Sequence, residues 1–413
     1  MKIAIITSGY MPVPDVLGGA VEALDMVLVR ENERKAELDL HVYSAWTPEA
    51  EAAAAPYART TFHFVHTPAL RAAGDRAVYW MAKSVLHKEK PSSYRYILQR
   101  LNYIERVARE LAREDYDYVM LENNATLFMV MKRHGNGERY RGRVLYHLHN
   151  EITSDFGCGE QIAASRAVIG VSDFILGTLD ESCPGVPKDR RVVLRNCADT
   201  SRFDAPGLAG ERAAWRKRLG LADDDVAVLF SGRLTADKGI LQLLEAMSRV
   251  KNPNLRLVVA GAVFFNSKVK SAFGEEVERR VKVLGDRAMM TGFVDHDKMP
   301  GLYAAADVCC MPSVWNDPAP LAVIEAMASG HPLVTTFSGG IPEYVTGECA
   351  YVLPRESDGL PARLAETLDE LAGDEGLRAR MGEAGRARAA EFAEGRFYKD
   401  YLDILRDLGG ADA

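Results

Sequence analysis

The sequence predicts an α/β protein made of two doubly wound domains of parallel strands. Three observations carry that expectation. The chain has 413 residues, more than one ordinary core accommodates. It opens on a β-branched run, "KIAIITSGY", that passes through the glycine-bearing loop "MPVPDVLGG" into the helical pattern "AVEALDMVLVRENE". A second strand, loop and helix series of the same kind then begins at Val226.

In the first series the strand-like runs are "LDLHVYSA", "YDYVMLE", "RVLYHLHN", "AVIGVS" and "RRVVLRN". The alanine-rich "EAEAAAAPYA" reads as a loop or frayed helix, and the polar stretch from Thr200 to Arg218 as a hinge. The second series gives strands at "VAVLFSGRL", "LRLVVAG", "AMMTGFV", "ADVCCMPS", "PLVTTF" and "AYVLP", with helices at "GILQLLEAMSRV" and "VERRVKVLG". The expected domains are residues 1–200, residues 201–390, and a terminal segment 391–413 packing back on the first domain as part of a long helix from Arg378 to Leu408. Two such halves place chemistry at the carboxyl ends of their strands, facing a central cleft.

Composition narrows the function. A net charge of -7 argues against a nucleic-acid partner, and no window reaches the length of a membrane span. The N-terminus lacks the pattern of a secretory leader, so a cytoplasmic location is expected. Cys158, Cys183, Cys197, Cys309, Cys310 and Cys349 form no C-x-x-C pair and read as reduced packing residues. "GCGEQIAAS" at Gly157 lacks the third glycine of a dinucleotide loop, and no Walker-type loop occurs.

Several segments have residue types suited to an anionic ligand. "FSGRLTADKGI" puts Gly232 and Arg233 at a strand end and Lys238 and Gly239 before a helix, which suits a diphosphate or equally a solvated turn capped by Asp237. In "NDPAPLAVIEAM", Asp317 reads either as an N-cap ahead of Pro318 or as a site carboxylate. Glu325 has only apolar neighbours on its helix, and a buried carboxylate needs partners. With the amides of Leu321 and Ala322 facing phosphate, ribose hydroxyls would supply them. In the first half, Gly18 and Gly19 follow the first strand as a close-approach loop or a plain turn. His147 and His149 share one strand face, with His149 nearer the carboxyl end and His147 read as packed.

Taken together, these segments resemble the GT-B glycosyltransferases, specifically the retaining family 4 group that uses nucleoside diphosphate sugars. The resemblance spans nearly the whole chain and is strongest from Arg191 to Tyr351. "VVLRNCADTSRF" looks like the interdomain segment, with Asn196 and Asp199, and "FSGRLTADKGI" is similar to the diphosphate element carried by Arg233 and Lys238. "TGFV", "ADVCCMPS" and "SGGIPEYV" fit in order. The E-x7-E signature falls on Asp317 and Glu325, with Asp in place of the first Glu, and Pro320 stands where members often have Gly.

The resemblance implies a GT-B fold of two Rossmann-like domains, an acceptor-binding one and a nucleotide-sugar-binding one. It implies retaining transfer of a hexose from a UDP- or GDP-sugar to a hydroxyl of a saccharide or lipid-linked acceptor, in cell-surface polysaccharide or glycolipid synthesis. Catalytic roles then fall on Asp317, His149, Arg233 and Lys238, and donor binding on Gly18, Gly19, Gly232, Leu321, Ala322 and Glu325. No metal or other cofactor is required. Other readings of the same architecture are a nucleotide-sugar epimerase or hydrolase, and a non-catalytic nucleotide-sugar-binding protein. Residues 71–100 carry seven Lys/Arg against two Asp/Glu, interleaved with Tyr79, Trp80, Tyr94 and Tyr96. That pattern suits an anionic membrane surface or a solvated helix pair with inward aromatics.

Overall fold

The computed structural model describes residues 1–86, 94–203, 205–262, 271–355 and 358–410. It divides into two compact units, residues 1–194 with 398–413, and residues 195–397.

The first unit holds seven strands: β1 (Lys2–Ile6), β2 (Asp39–Ala45), β3 (Thr60–Val65), β4 (Tyr118–Glu122), β5 (Val144–Leu148), β6 (Ala167–Gly170) and β7 (Arg191–Val193). They lie in the order β3-β2-β1-β4-β5-β6-β7, every neighbour parallel. The second unit holds β8 (Val226–Ser231), β9 (Leu255–Ala260), β10 (Ala288–Gly292), β11 (Val308–Met311), β12 (Leu333–Thr336) and β13 (Ala350–Leu353), in the order β10-β9-β8-β11-β12-β13 and again all parallel. Central strands such as β1 and β11 are buried along nearly their whole length, because helices cover both sheet faces. This is why they read as unbroken apolar runs.

Strand order reverses beside β1 in one unit and beside β8 in the other. A switch of this kind opens a crevice at the carboxyl ends of β1 and β4, and another at the carboxyl ends of β8 and β11. The glycine loop after β1, "FSGRLTADKGI" after β8, and the segment from Pro312 to Pro320 after β11 all stand at such ends.

Three local expectations change. "EAEAAAAPYA" contains an ordered helix, Pro48–Ala54, because Thr47 caps it by accepting the Ala50 amide at 3.1 Å. The long terminal helix is two helices, Glu375–Ala389 and Glu394–Gly410. Between them Ala393 is extended and Phe392 is buried against the Tyr344 ring at 4.9 Å, while its carbonyl accepts the Ala198 amide. The stretch from Thr200 to Arg218 is not an open hinge, since helix Ala209–Leu219 occupies much of it.

In the first unit the end of the chain is held by Tyr398, whose hydroxyl donates to Asn32 at 2.9 Å, and by buried Tyr401, Leu402 and Leu405. The basic segment contributes helices Ala69–Ser84 and Ile97–Leu111, with Asp75 accepting the Leu98 and Gln99 amides; residues 87–93, including Lys88 and Lys90, lie outside the described residues.

Candidate active site

In the second unit, Lys238 and Asp317 come together from loops after β8 and β11. Lys238 Nζ lies 2.5 Å from Asp317 Oδ2, which also accepts from Ser313 Oγ at 3.0 Å. Asp317 is buried, and the ammonium sits 5.6 Å from the centre of the Trp315 ring. Gly239 makes this approach possible: its φ is 73°, and a Cβ there would run into the Pro312 carbonyl oxygen. The loop bearing Asp317 is braced by the next crossover, where Gly340 donates its amide to the Asp317 carbonyl at 2.9 Å. Asn196 braces it too, donating to the Ala319 carbonyl at 2.9 Å.

Asp317 is not an N-cap. The helix is Leu321–Ala328, preceded by Pro320 without a side-chain cap. Pro320 disfavours the helical conformation for Ala319, so the helix cannot start at Pro318. Asp237 likewise caps no helix, since Gly239 precedes Ile240–Arg249. The amides of Leu321 and Ala322 are the first two of their helix and have no intrahelical acceptor by geometry.

Glu325 has its partners within the unit. The Tyr303 hydroxyl donates to Oε2 at 3.1 Å, and His296 Nε2 lies 3.2 Å from Oε1. The Glu325 carboxylate raises the His296 pKa, so the pair contributes most below the ordinary histidine range and is lost as pH rises through the raised value. Burial, and then Glu325, push the Tyr303 hydroxyl well above its usual range, so it remains a donor. Arg233 is exposed, with no ion-pair partner among the described residues. The Gly232 amide is committed to the Ala260 carbonyl at 3.1 Å, so this glycine offers a ligand space and no hydrogen.

In the first unit, Gly18 and Gly19 adopt φ of 79° and 116° immediately before helix Ala20–Lys35. The Gly18 amide bonds the Asp15 carbonyl at 2.8 Å, and a Cβ at Gly19 would strike the Glu22 carboxylate. His149 Nε2 lies 3.0 Å from Glu122 Oε2, and His147 Nδ1 lies 3.1 Å from Oε1. Both rings are buried, His147 at 2% exposure and His149 at 6%.

Residues 211–388 match the family model described as glycosyl transferases group 1. The Bacillus subtilis protein YtcC, named as a glycosyltransferase, is 27% identical over 398 residues, covering 94% of this chain and 87% of the relative. The alpha-maltose-1-phosphate synthase of Mycobacterium tuberculosis is 26% identical over 419 residues, covering 99% of this chain and 100% of the relative. The Anabaena protein HepE, solved in complex with UDP, superposes with a TM-score of 0.71 at 18% identity, covering 98% of this chain and 99% of that one. Residues 211–388 are a group 1 glycosyltransferase domain, and the fold is GT-B.

Sequence reasoning did not find several residues that shape the two constellations. Tyr303 and His296 escaped because each meets Glu325 through the fold, and Ser313 because nothing in its local pattern marks it, although it stands only four residues before Asp317. Glu122 was visible only as the last residue of "YDYVMLE". Its register partner in the sheet is His147, a pairing that spacing along the chain does not reveal.

Proposed function

We propose that this chain is a retaining, family 4 glycosyltransferase that moves a hexose from a nucleoside diphosphate sugar, UDP first and GDP next, to a hydroxyl of a saccharide or lipid-linked acceptor. The observation that carries the proposal is the Lys238–Asp317 pair, its carboxylate buried, joining the loops after β8 and β11, with Arg233 exposed in the same β8 loop and helix Leu321–Ala328, which bears Glu325, following the β11 loop. In this reading Arg233, Lys238 and the amides of Leu321 and Ala322 take the diphosphate, and stabilise its charge as the glycosidic bond to it breaks. Asp317 accepts from hydroxyls of the sugar. Glu325 keeps lone pairs beyond those used by Tyr303 and His296, and these take the ribose hydroxyls. Gly18, Gly19 and Gly232 give backbone room to the donor, and His149 meets the sugar. The acceptor oxygen attacks on the face the diphosphate leaves, and its proton passes to a leaving phosphate oxygen. No metal enters the step, and turnover is expected to persist in EDTA.

The test is a thermal-shift screen of UDP-, GDP- and TDP-sugars. A donor present at 100 times its Kd adds about 2.7 kcal/mol of stability. A clear rise in Tm with one nucleotide series supports the reading, and no response to any of them at millimolar concentration overturns it. Loss of the sugar from the donor only when a saccharide is present then separates transfer from hydrolysis or epimerisation.

For the acceptor side, we place the enzyme in cell-surface polysaccharide or glycolipid synthesis, in the cytoplasm and peripheral to the membrane's inner face. Helix Ala69–Ser84 and the residues after it expose Trp80, Met81, Val85 and Leu86 beside Lys83, the mixture that binds an anionic interface. Wild type is expected to co-sediment with anionic vesicles at low salt and to be released as salt rises. Trp80→Ser with Met81→Ser should weaken that binding. Protein that stays free of such vesicles at low salt would refute the membrane assignment.

A further inference from the structure

The buried group around His149 is more organised than packing requires. Glu122 is the last residue of β4 and fully buried, and its two carboxylate oxygens reach two different histidines. An ionised carboxylate only accepts hydrogen bonds, so each facing nitrogen must carry the hydrogen. That assigns His147 as the Nδ1–H form and His149 as the Nε2–H form. The two nitrogens also face each other at 3.1 Å, and sharing one acceptor allows both to be donors there.

The consequences differ for the two rings. His147 Nε2 becomes a bare lone pair, buried and without a partner among the described residues. His149 Nδ1 is not among such buried orphan atoms. Asn123, next to Glu122, fixes the same histidine through its backbone. It holds a left-handed φ of 55°, and its Oδ1 accepts the amides of His149 and Asn150, both at 3.1 Å.

We infer that Glu122, assisted by Asn123, is a positioning residue that holds His149 as the neutral Nε2–H imidazole, so that Nδ1 accepts a hydrogen bond from a hydroxyl of the transferred sugar. The inference rests on the proposed placement of His149 at that sugar. A cationic ring would instead offer only donors. His147 and Glu122 act on the ring directly, and around Glu122 stand Glu22 and Asp25 from helix Ala20–Lys35, Tyr146 from β5 and Tyr401 from Glu394–Gly410. Burial, and then Glu122, raise Asp25 well above the carboxylate range, so it stands beside Glu122 as a neutral acid. Burial, and then His147, lower His149 to about 4, in keeping with a neutral ring at neutral pH.

Nitrogen-15 NMR of histidine-labelled protein reads the tautomer without any substrate. His149 is expected as Nε2–H in wild type. Glu122→Gln, which replaces two acceptor oxygens by one, should lose that preference and lower transfer by about tenfold or more. Should Glu122→Gln fail to fold, Asn123→Gly adopts the same φ without strain and removes only the Oδ1 acceptor; it should lower transfer severalfold with an unchanged Tm. An Nδ1–H or cationic His149 in wild type overturns the inference, as does wild-type turnover in both variants. So does one equivalent of tightly bound zinc in the purified protein, because the donors of Glu122, His147 and His149 lie within 4.8 Å of one another and would then be ligands. Failure of every nucleotide sugar to bind would overturn the proposed function instead, and the tautomer measurement distinguishes the two.

Discussion

Lys238→Ala and Arg233→Ala are each expected to lower kcat/KM by about 10² to 10³, the scale for removing one preorganised group that meets developing charge. Their structural consequences should differ. Lys238 pairs with buried Asp317, so its loss leaves that carboxylate with Ser313 as its remaining side-chain donor among the described residues. Removing one partner of a buried pair costs up to about 3–5 kcal/mol, and Lys238 is partly exposed, which places the expected loss toward or below the lower end. Arg233 is exposed and pairs with no carboxylate among the described residues, so Arg233→Ala should keep the wild-type Tm. The contrast separates catalysis from stability: equal kinetic losses with a Tm drop only in Lys238→Ala is the expected pattern. Near-wild-type kinetics in both variants would remove the diphosphate assignment.

The kinds of residue that were legible in the sequence follow a physical rule. Parallel strands buried on both faces, such as "KIAII" and "VAVLFS", announce themselves because all but one end position in each is apolar. The edge strand β3, "TTFHFV", did not, since its half-buried positions mix polar and aromatic residues. Strand ends were legible too, because glycines and cations after a strand stand out against its apolar run. The partners of buried charge were not. Asp317 meets Lys238 across 79 residues, and Glu325 meets Tyr303 and His296 across 22 and 29. No periodicity encodes such pairs. The Lys238–Asp317 pair arises where sheet order sets the loops of β8 and β11 side by side, whereas Tyr303 and His296 reach Glu325 from the segment between β10 and β11. For Asp317 the local pattern pointed the wrong way, since Asp-Pro ahead of an apolar run is an ordinary helix start. Pro320 prevents the helix from reaching back that far, and the carboxylate is left to the site.

Asp317→Asn is therefore expected to behave unlike a capping substitution, for which Asn serves about as well as Asp. It should lower kcat by about tenfold or more, as expected for an interaction that strengthens in the transition state. It should also lower Tm, because the charge facing Lys238 is lost while one oxygen remains for Ser313; a cost of about 1–3 kcal/mol is the scale for weakening a charged hydrogen bond. Two roles for Asp317 then need separating, holding Lys238 or touching the sugar. The double variant with Lys238→Ala does so. If Asp317 only positions the lysine, Asp317→Asn should add nothing once Lys238 is alanine. If it meets the sugar itself, the tenfold loss should persist in that background. Glu325→Gln supplies the contrast. Ribose contacts bind ground and transition states alike, so this change should mainly raise the donor KM and leave kcat near wild type. Full activity in Asp317→Asn would sink both catalytic roles and leave Asp317 as a structural partner of Lys238. An unchanged donor KM in Glu325→Gln would remove the ribose assignment and leave Tyr303 and His296 as the reason for a carboxylate at that position.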